Sequence, residues 1–227
     1  MYQKYFKEVM STEPLSRKLG KTDFRLLQEI YSKNEESRPI ARIADKLHPW
    51  AALVFAGSAF PQGYSAETGA DMLLTNAAVN INKPRGSLES LDDVTAIFKA
   101  QPEETMLNFL KASIKTNKEE TEDIKKLHQA YSDGRFEELI PLLEETEQRT
   151  LKLVDTKYAK AMSDWLKNDL LIRRNLAWLP EIRKQSAKQS TLFAVGIAHL
   201  PSEKGLIELL RQEGYQVTPE PKVLIWQ

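Results

Sequence analysis

The chain has 227 residues, 41% of them hydrophobic and 28% charged, enough for one large domain or two small ones. Thirty-two basic residues balance thirty-two acidic ones, so the charge gives no general attraction to nucleic acid or anionic lipid. No cysteine is present, which excludes disulfides, thiolate metal sites and cysteine nucleophiles, and no apolar run is long enough to span a membrane.

Most of the chain carries helical periodicity. Thr22 is placed to cap a helix over 23–32, with Phe24, Leu27 and Tyr31 on one face. Residues 39–56 form a more apolar segment broken at His48-Pro49, and 57–63 reads as a loop. Residues 69–79 resume as a helix rich in small residues, with a turn or short extended stretch at Lys83–Ser87. From Ser90 to Thr150 the pattern is charged and helical, punctuated at Gln101-Pro102, Thr116-Asn117 and Ser132-Asp133-Gly134. Glu119, Glu120, Glu122 and Asp123 precede Lys125 and Lys126, the pattern of a solvated helix face with its acidic residues first. A periodic segment from Tyr158 to Ile182 includes Met162, Trp165, Ile172, Leu176 and Leu179, and Pro180 should kink or end it.

The C-terminal stretch reads differently. Leu192, Phe193, Ala194 and Val195 form a short apolar run, the pattern of a buried strand. Gly196 follows, a residue that lets the chain turn or approach another group closely, and His199 lies three positions on. Leu206, Leu209 and Leu210 share a helical face, Gly214 stops that helix, and Tyr215–Thr218 reads as a returning strand. This strand–Gly-x-x-His–helix–strand unit over about 190–220 would put an imidazole at the C-terminal edge of a sheet, where open α/β folds hold ligands. With 84–88 as a further candidate strand, the expected fold is mixed α/β, a predominantly helical body over about 1–185 packed on a small, incomplete β-sheet.

Few side chains invite chemistry. His128 lies on a charged helix and reads as a surface residue, and His48 as a helix-end residue. His199 taken alone has many structural uses beside ligation. Glu89 follows a short extended segment and could be a metal ligand, a general base or a helix N-cap. Arg174-Asn175, inside an apolar-periodic helix, could anchor a carboxylate or hold a carbonyl; the plainer reading is a pair of exposed arginines, 173 and 174, with Asn175 at the border.

The order of these signals along the chain is more specific than any one of them. Gly69-Ala70-Asp71-Met72-Leu73-Leu74, Ser87-Leu88-Glu89, Arg174-Asn175, then Val195-Gly196-Ile197-Ala198-His199-Leu200-Pro201 with Gly205-Leu206 and Gly214-Tyr215, resembles the TraB/GumN family, relatives of the Tiki metalloproteases. The resemblance implies one mixed α/β domain over 1–227, with two Gly-x-x-His motifs and a glutamate around a divalent metal ion (Zn, Mn or Co). His199 and Glu89 would then be metal ligands, and Arg174 and Asn175 a polar pair facing the catalytic site. The implied activity is metal-dependent hydrolysis of a peptide or protein, in a setting at the bacterial cell envelope or periplasm. The first Gly-x-x-His is missing: Gly57 and Gly63 are followed at the third position by Phe60 and Ala66. A chain lacking that strand is expected to leave an unpaired sheet edge, open to a homodimer or a partner strand. The alternative expectation is a non-catalytic peptide- or protein-binding module of the same fold.

Overall fold

The computed structural model of the protein describes residues 2–219, with side chains from residue 5 onward. It divides into two compact units, Met1–Asp164 and Trp165–Gln227.

The first unit is helical. Helices α1 (Tyr2–Val9), α2 (Leu15–Leu19), α3 (Lys21–Tyr31), α4 (Arg38–Ile43) and α5 (Pro49–Gly57) lead to α6 (Ala70–Asn80) and α7 (Leu91–Lys99). The 30-residue α8 (Glu103–Ser132), then α9 (Leu139–Leu151) and α10 (Thr156–Asp164), complete it. Leu15, Leu27, Tyr31, Leu47, Ala52 and Leu110 are buried in one core that joins α2, α3, α5 and α8. The Tyr31 hydroxyl donates to the Ala52 carbonyl at 2.8 Å, and burial pushes its pKa above the ordinary tyrosine value. His48 is the N-cap residue of α5 with Pro49 at the first helical position, where a missing N–H costs nothing, and His128 is exposed. Helix α3 starts at Lys21 behind Gly20, so Thr22 lies inside it rather than capping it. Thr116-Asn117 interrupts nothing: α8 runs unbroken from Glu103 to Ser132, with Thr116 among its buried residues.

The acidic run on α8 is not a purely solvated face. Asp123 is 4% exposed. Its Oδ2 accepts from Arg149 Nη1 at 2.5 Å and from the Thr146 hydroxyl at 3.0 Å, both on α9, and Lys126 Nζ lies 3.2 Å from Oδ1. One turn earlier, Glu120 accepts from the Thr116 and Thr150 hydroxyls. Burial raises the pKa of Glu120. It also pushes that of Asp123 upward, but the bonds from Arg149, Lys126 and Thr146 outweigh burial and hold the Asp123 carboxyl below its ordinary value. A carboxyl with a depressed folded-state pKa stabilises the fold above its unfolded pKa, and that contribution disappears as pH falls through the folded value. Asp123→Asn is therefore expected to cost about 2 kcal/mol at neutral pH. In urea titrations at a series of pH values, the deficit should shrink below about pH 4. A pH-independent deficit would contradict the clamp.

The expected β-sheet is absent from the described residues. Among the described residues, β pairing is confined to an isolated antiparallel bridge between Met10 and Leu47, so the fold is predominantly helical and not a helical body on a sheet. Residues 84–88, 191–196 and 215–218 form no ladder. Strand propensity describes a side chain's fit to a pleated surface, and it cannot supply the neighbouring backbone that turns an extended segment into a strand.

The second unit opens with a π-helix, Trp165–Ile172, followed by α11 (Arg173–Ser186) and, after an irregular stretch, α12 (Leu206–Gln212). Pro180 is accommodated inside α11, neither ending nor replacing it. The irregularity in this region lies instead at the wider π turn. Such turns are uncommon, are often found beside functional residues, and here directly precede Arg174-Asn175.

A candidate site around His199

Arg174, Asn175 and Trp178 project from the first turns of α11, with Arg174 and Trp178 four residues apart on one face. Asn175, Trp178, Leu179 and Ile182 are buried, whereas Leu176 is exposed, so the polar Asn175 takes a core position that periodicity assigns to an apolar residue. Residues Ile197–His199 make a single 3₁₀ turn, closed by the His199 N–H donating to the Gly196 carbonyl at 2.9 Å. The imidazole is 7% exposed.

Asn175 joins this turn to the helix. Its Nδ2 donates to the His199 carbonyl at 3.3 Å and to the Lys204 carbonyl at 2.9 Å. Two carbonyl acceptors fix the amide orientation, so Oδ1 is the atom 2.7 Å from His199 Nδ1. Since Oδ1 can only accept, Nδ1 carries the proton. In the neutral imidazole Nε2 is then the acceptor, and Arg174 Nη1 stands 3.4 Å from it while also donating to the Leu170 carbonyl at 3.0 Å. The Trp178 ring packs against the imidazole at a centroid distance of 4.5 Å, and the Arg174 guanidinium lies 5.0 Å from the Trp178 ring centroid.

Gly196, which the sequence marks as the turning point, has an ordinary backbone conformation, and a Cβ there would meet only His199 Cδ2 at 3.8 Å. The required glycine is Gly205. A Cβ there would fall 1.9 Å from the Pro201 carbonyl oxygen and 2.4 Å from that of Leu200. The tight 200–205 turn, with Ser202 at φ 83°, brings Lys204 within reach of Asn175.

Glu89 belongs to the first unit, in the bend before α7. It is not the cap of that helix: the Ser90 hydroxyl accepts from the Asp93 N–H and the Asp93 carboxylate accepts from the Ser90 N–H, a complete capping box. Among the described residues, no three His, Asp or Glu side chains gather as a metal ion would need. The donors around His199 do not suit a cation either. The imidazole nitrogen that would bind the metal faces a guanidinium, and the other is engaged with Asn175. The described residues thus do not, as placed, assemble the metal centre that the resemblance implies.

Trp178 escapes a reading of the sequence, being signalled only by its place four residues after Arg174, and Gly205 enters that reading as part of a pattern, without its role in the turn. No helix among the described residues is long and apolar enough to cross a membrane. Neither a curated protein nor a solved structure matches the chain. The TraB/PrgY/gumN family model matches residues 2–219, nearly the full length. The chain therefore belongs to the TraB/PrgY/gumN family.

Proposed function

We propose that this chain is a peptide- or protein-binding member of the TraB/PrgY/gumN family, and that it holds an extended segment of its partner by strand addition along Leu192–Val195. One observation carries this reading. Among the described residues, the backbone of Leu192–Val195 makes no hydrogen bond. Exposure alternates along the segment, with Leu192, Ala194 and Gly196 outward and Phe193 and Val195 partly buried, the two-residue period of an extended chain. Leu192 is 76% exposed. A row of open N–H and C=O groups beside an exposed leucine is what an added strand requires, main-chain bonds giving affinity and alternate side chains giving selectivity.

A second reading is metal-dependent peptide hydrolysis. It is favoured by the meeting of His199, Asn175 and Arg174 in one cluster. It would require Arg174 to leave Nε2 and further ligands to join the imidazole.

Fluorescence anisotropy of labelled, unstructured peptides in the presence of a chelator separates the two. Binding by strand addition predicts saturable, metal-independent association without turnover. Ala194→Pro, which removes a backbone donor from the segment, should weaken it at least tenfold. Binding or cleavage that appears only with Zn, Mn or Co, and is lost in both His199→Ala and Glu89→Gln, would overturn this reading in favour of the hydrolase.

A further inference from the structure

We propose that α6 is a self-association surface, on which a second copy of this chain docks its own α6 in the antiparallel direction. No side chain of this helix is buried. Leu73 is 59% exposed and Ile81, at the C-cap, 68%; Met72, Leu74 and Val79 are exposed as well. Scattered apolar residues on a surface need no partner, but a continuous apolar stripe marks a contact. Ala70, Leu74, Ala77 and Ile81, spaced by four, three and four residues, fall on one line of the helix, with Leu73 and Ala78 on either side. This is the spacing of a coiled-coil seam, and it carries no charge.

Side-chain size selects the occupant. With two copies antiparallel and centred between Thr75 and Asn76, Leu74 of one lies opposite Ala77 of the other, and Ile81 opposite Ala70. Each large side chain then fills the space left by a small one. Parallel copies would set Leu74 on Leu74 and leave a gap between the alanines.

Charge selects the same direction. Glu67 and Asp71 lie at the N-terminal end of the stripe, Lys83 and Arg85 beyond its C-terminal end, and all four are exposed. Antiparallel copies bring the acidic end of each against the basic end of the other, twice by symmetry, whereas parallel copies bring like charges together. Two acids and two bases leave the segment with no net attraction to an anionic lipid surface. The helix is about 16 Å long. A pair of such helices buries less than the roughly 1,200 Å² of a standard interface, so association is expected in the micromolar range.

Sedimentation velocity of the full chain over a concentration series should show a reversible monomer–dimer equilibrium. Leu74→Glu and Ala77→Glu should each weaken it at least tenfold while keeping the helical dichroism and melting temperature of the parent, because both positions are exposed in the single chain. Direction is read from disulfides, since the natural chain has no cysteine. Chains carrying Ala70→Cys, mixed with chains carrying Ile81→Cys under mild oxidation, should form the mixed disulfide. In the antiparallel pair two copies of position 70 stand about 16 Å apart along the axis, beyond disulfide reach. A chain that stays monomeric at every concentration, or a dimer that both glutamate variants leave intact, would overturn the proposal. So would symmetric disulfides, or none at all.

Discussion

Replacing Gly205 with alanine is expected to cost about 3 kcal/mol, at the upper end of the usual penalty for overpacking. The added Cβ would fall 1.9 Å from a backbone oxygen, and a main-chain carbonyl cannot swing aside as a flexible side chain can. The Leu200 carbonyl, 2.4 Å from the same Cβ, also accepts from the Ile207 N–H at 3.2 Å, so relieving the clash pulls on the first turn of α12. The neighbouring Lys204 carbonyl is one of the two acceptors that orient Asn175. The damage should therefore reach the imidazole through the backbone, without any change in a polar side chain. Hydrogen exchange should show lost protection over 197–212 while the core of α2, α3, α5 and α8 keeps its own. Gly196→Ala is the control and should be nearly silent, since its Cβ meets nothing closer than 3.8 Å. Equal effects at the two glycines would contradict this account of the turn.

Asn175→Ala is the second large effect, also about 3 kcal/mol, by a different route. Asn175 is 2% exposed and engages His199 Nδ1 and the carbonyls of His199 and Lys204. Truncation strands one buried N–H and two carbonyls, each unsatisfied group costing about 1–3 kcal/mol before water or relaxation recovers part of it. Asn175→Leu preserves volume but not bonding and should be no better, which distinguishes a hydrogen-bond role from simple filling of space. Chemical denaturation followed by tryptophan fluorescence, with Trp178 against the affected ring, measures both variants. A leucine variant as stable as the parent would show that the three bonds contribute nothing net.

The parts of this site that could be read from the sequence are those carried by side-chain order. His199, Arg174 and Asn175 can be picked out, and they do meet, the turn at Ile197–His199 folding back on α11 across 24 to 25 residues of chain. What could not be read depends on partners distant in the chain. Leu192–Val195 has strand composition but acquires no ladder, since composition provides no neighbour. Asp123 has the spacing of a solvated helix residue, and its burial follows from Arg149 and Thr146 on another helix. Gly196 and Gly205 look alike in sequence, and only the course of the 200–205 backbone makes the second indispensable. Glu89 stands where a cap belongs, but the adjacent Ser90-x-x-Asp93 box fills that role with better chemistry.

Asn175 and Arg174 hold His199 between them, Asn175 against Nδ1 and Arg174 beside Nε2. The ring nitrogens report it directly in a long-range ¹H–¹⁵N spectrum of the full chain, recorded first with chelator and then with equimolar zinc. With three histidines in the sequence, the His199 signals are identified by their loss in His199→Ala. A protonated Nδ1, an accepting Nε2 and no change on adding zinc are expected. An Nε2–H tautomer, or a zinc-dependent displacement of the His199 nitrogens, would contradict it and return the imidazole to the role of a metal ligand.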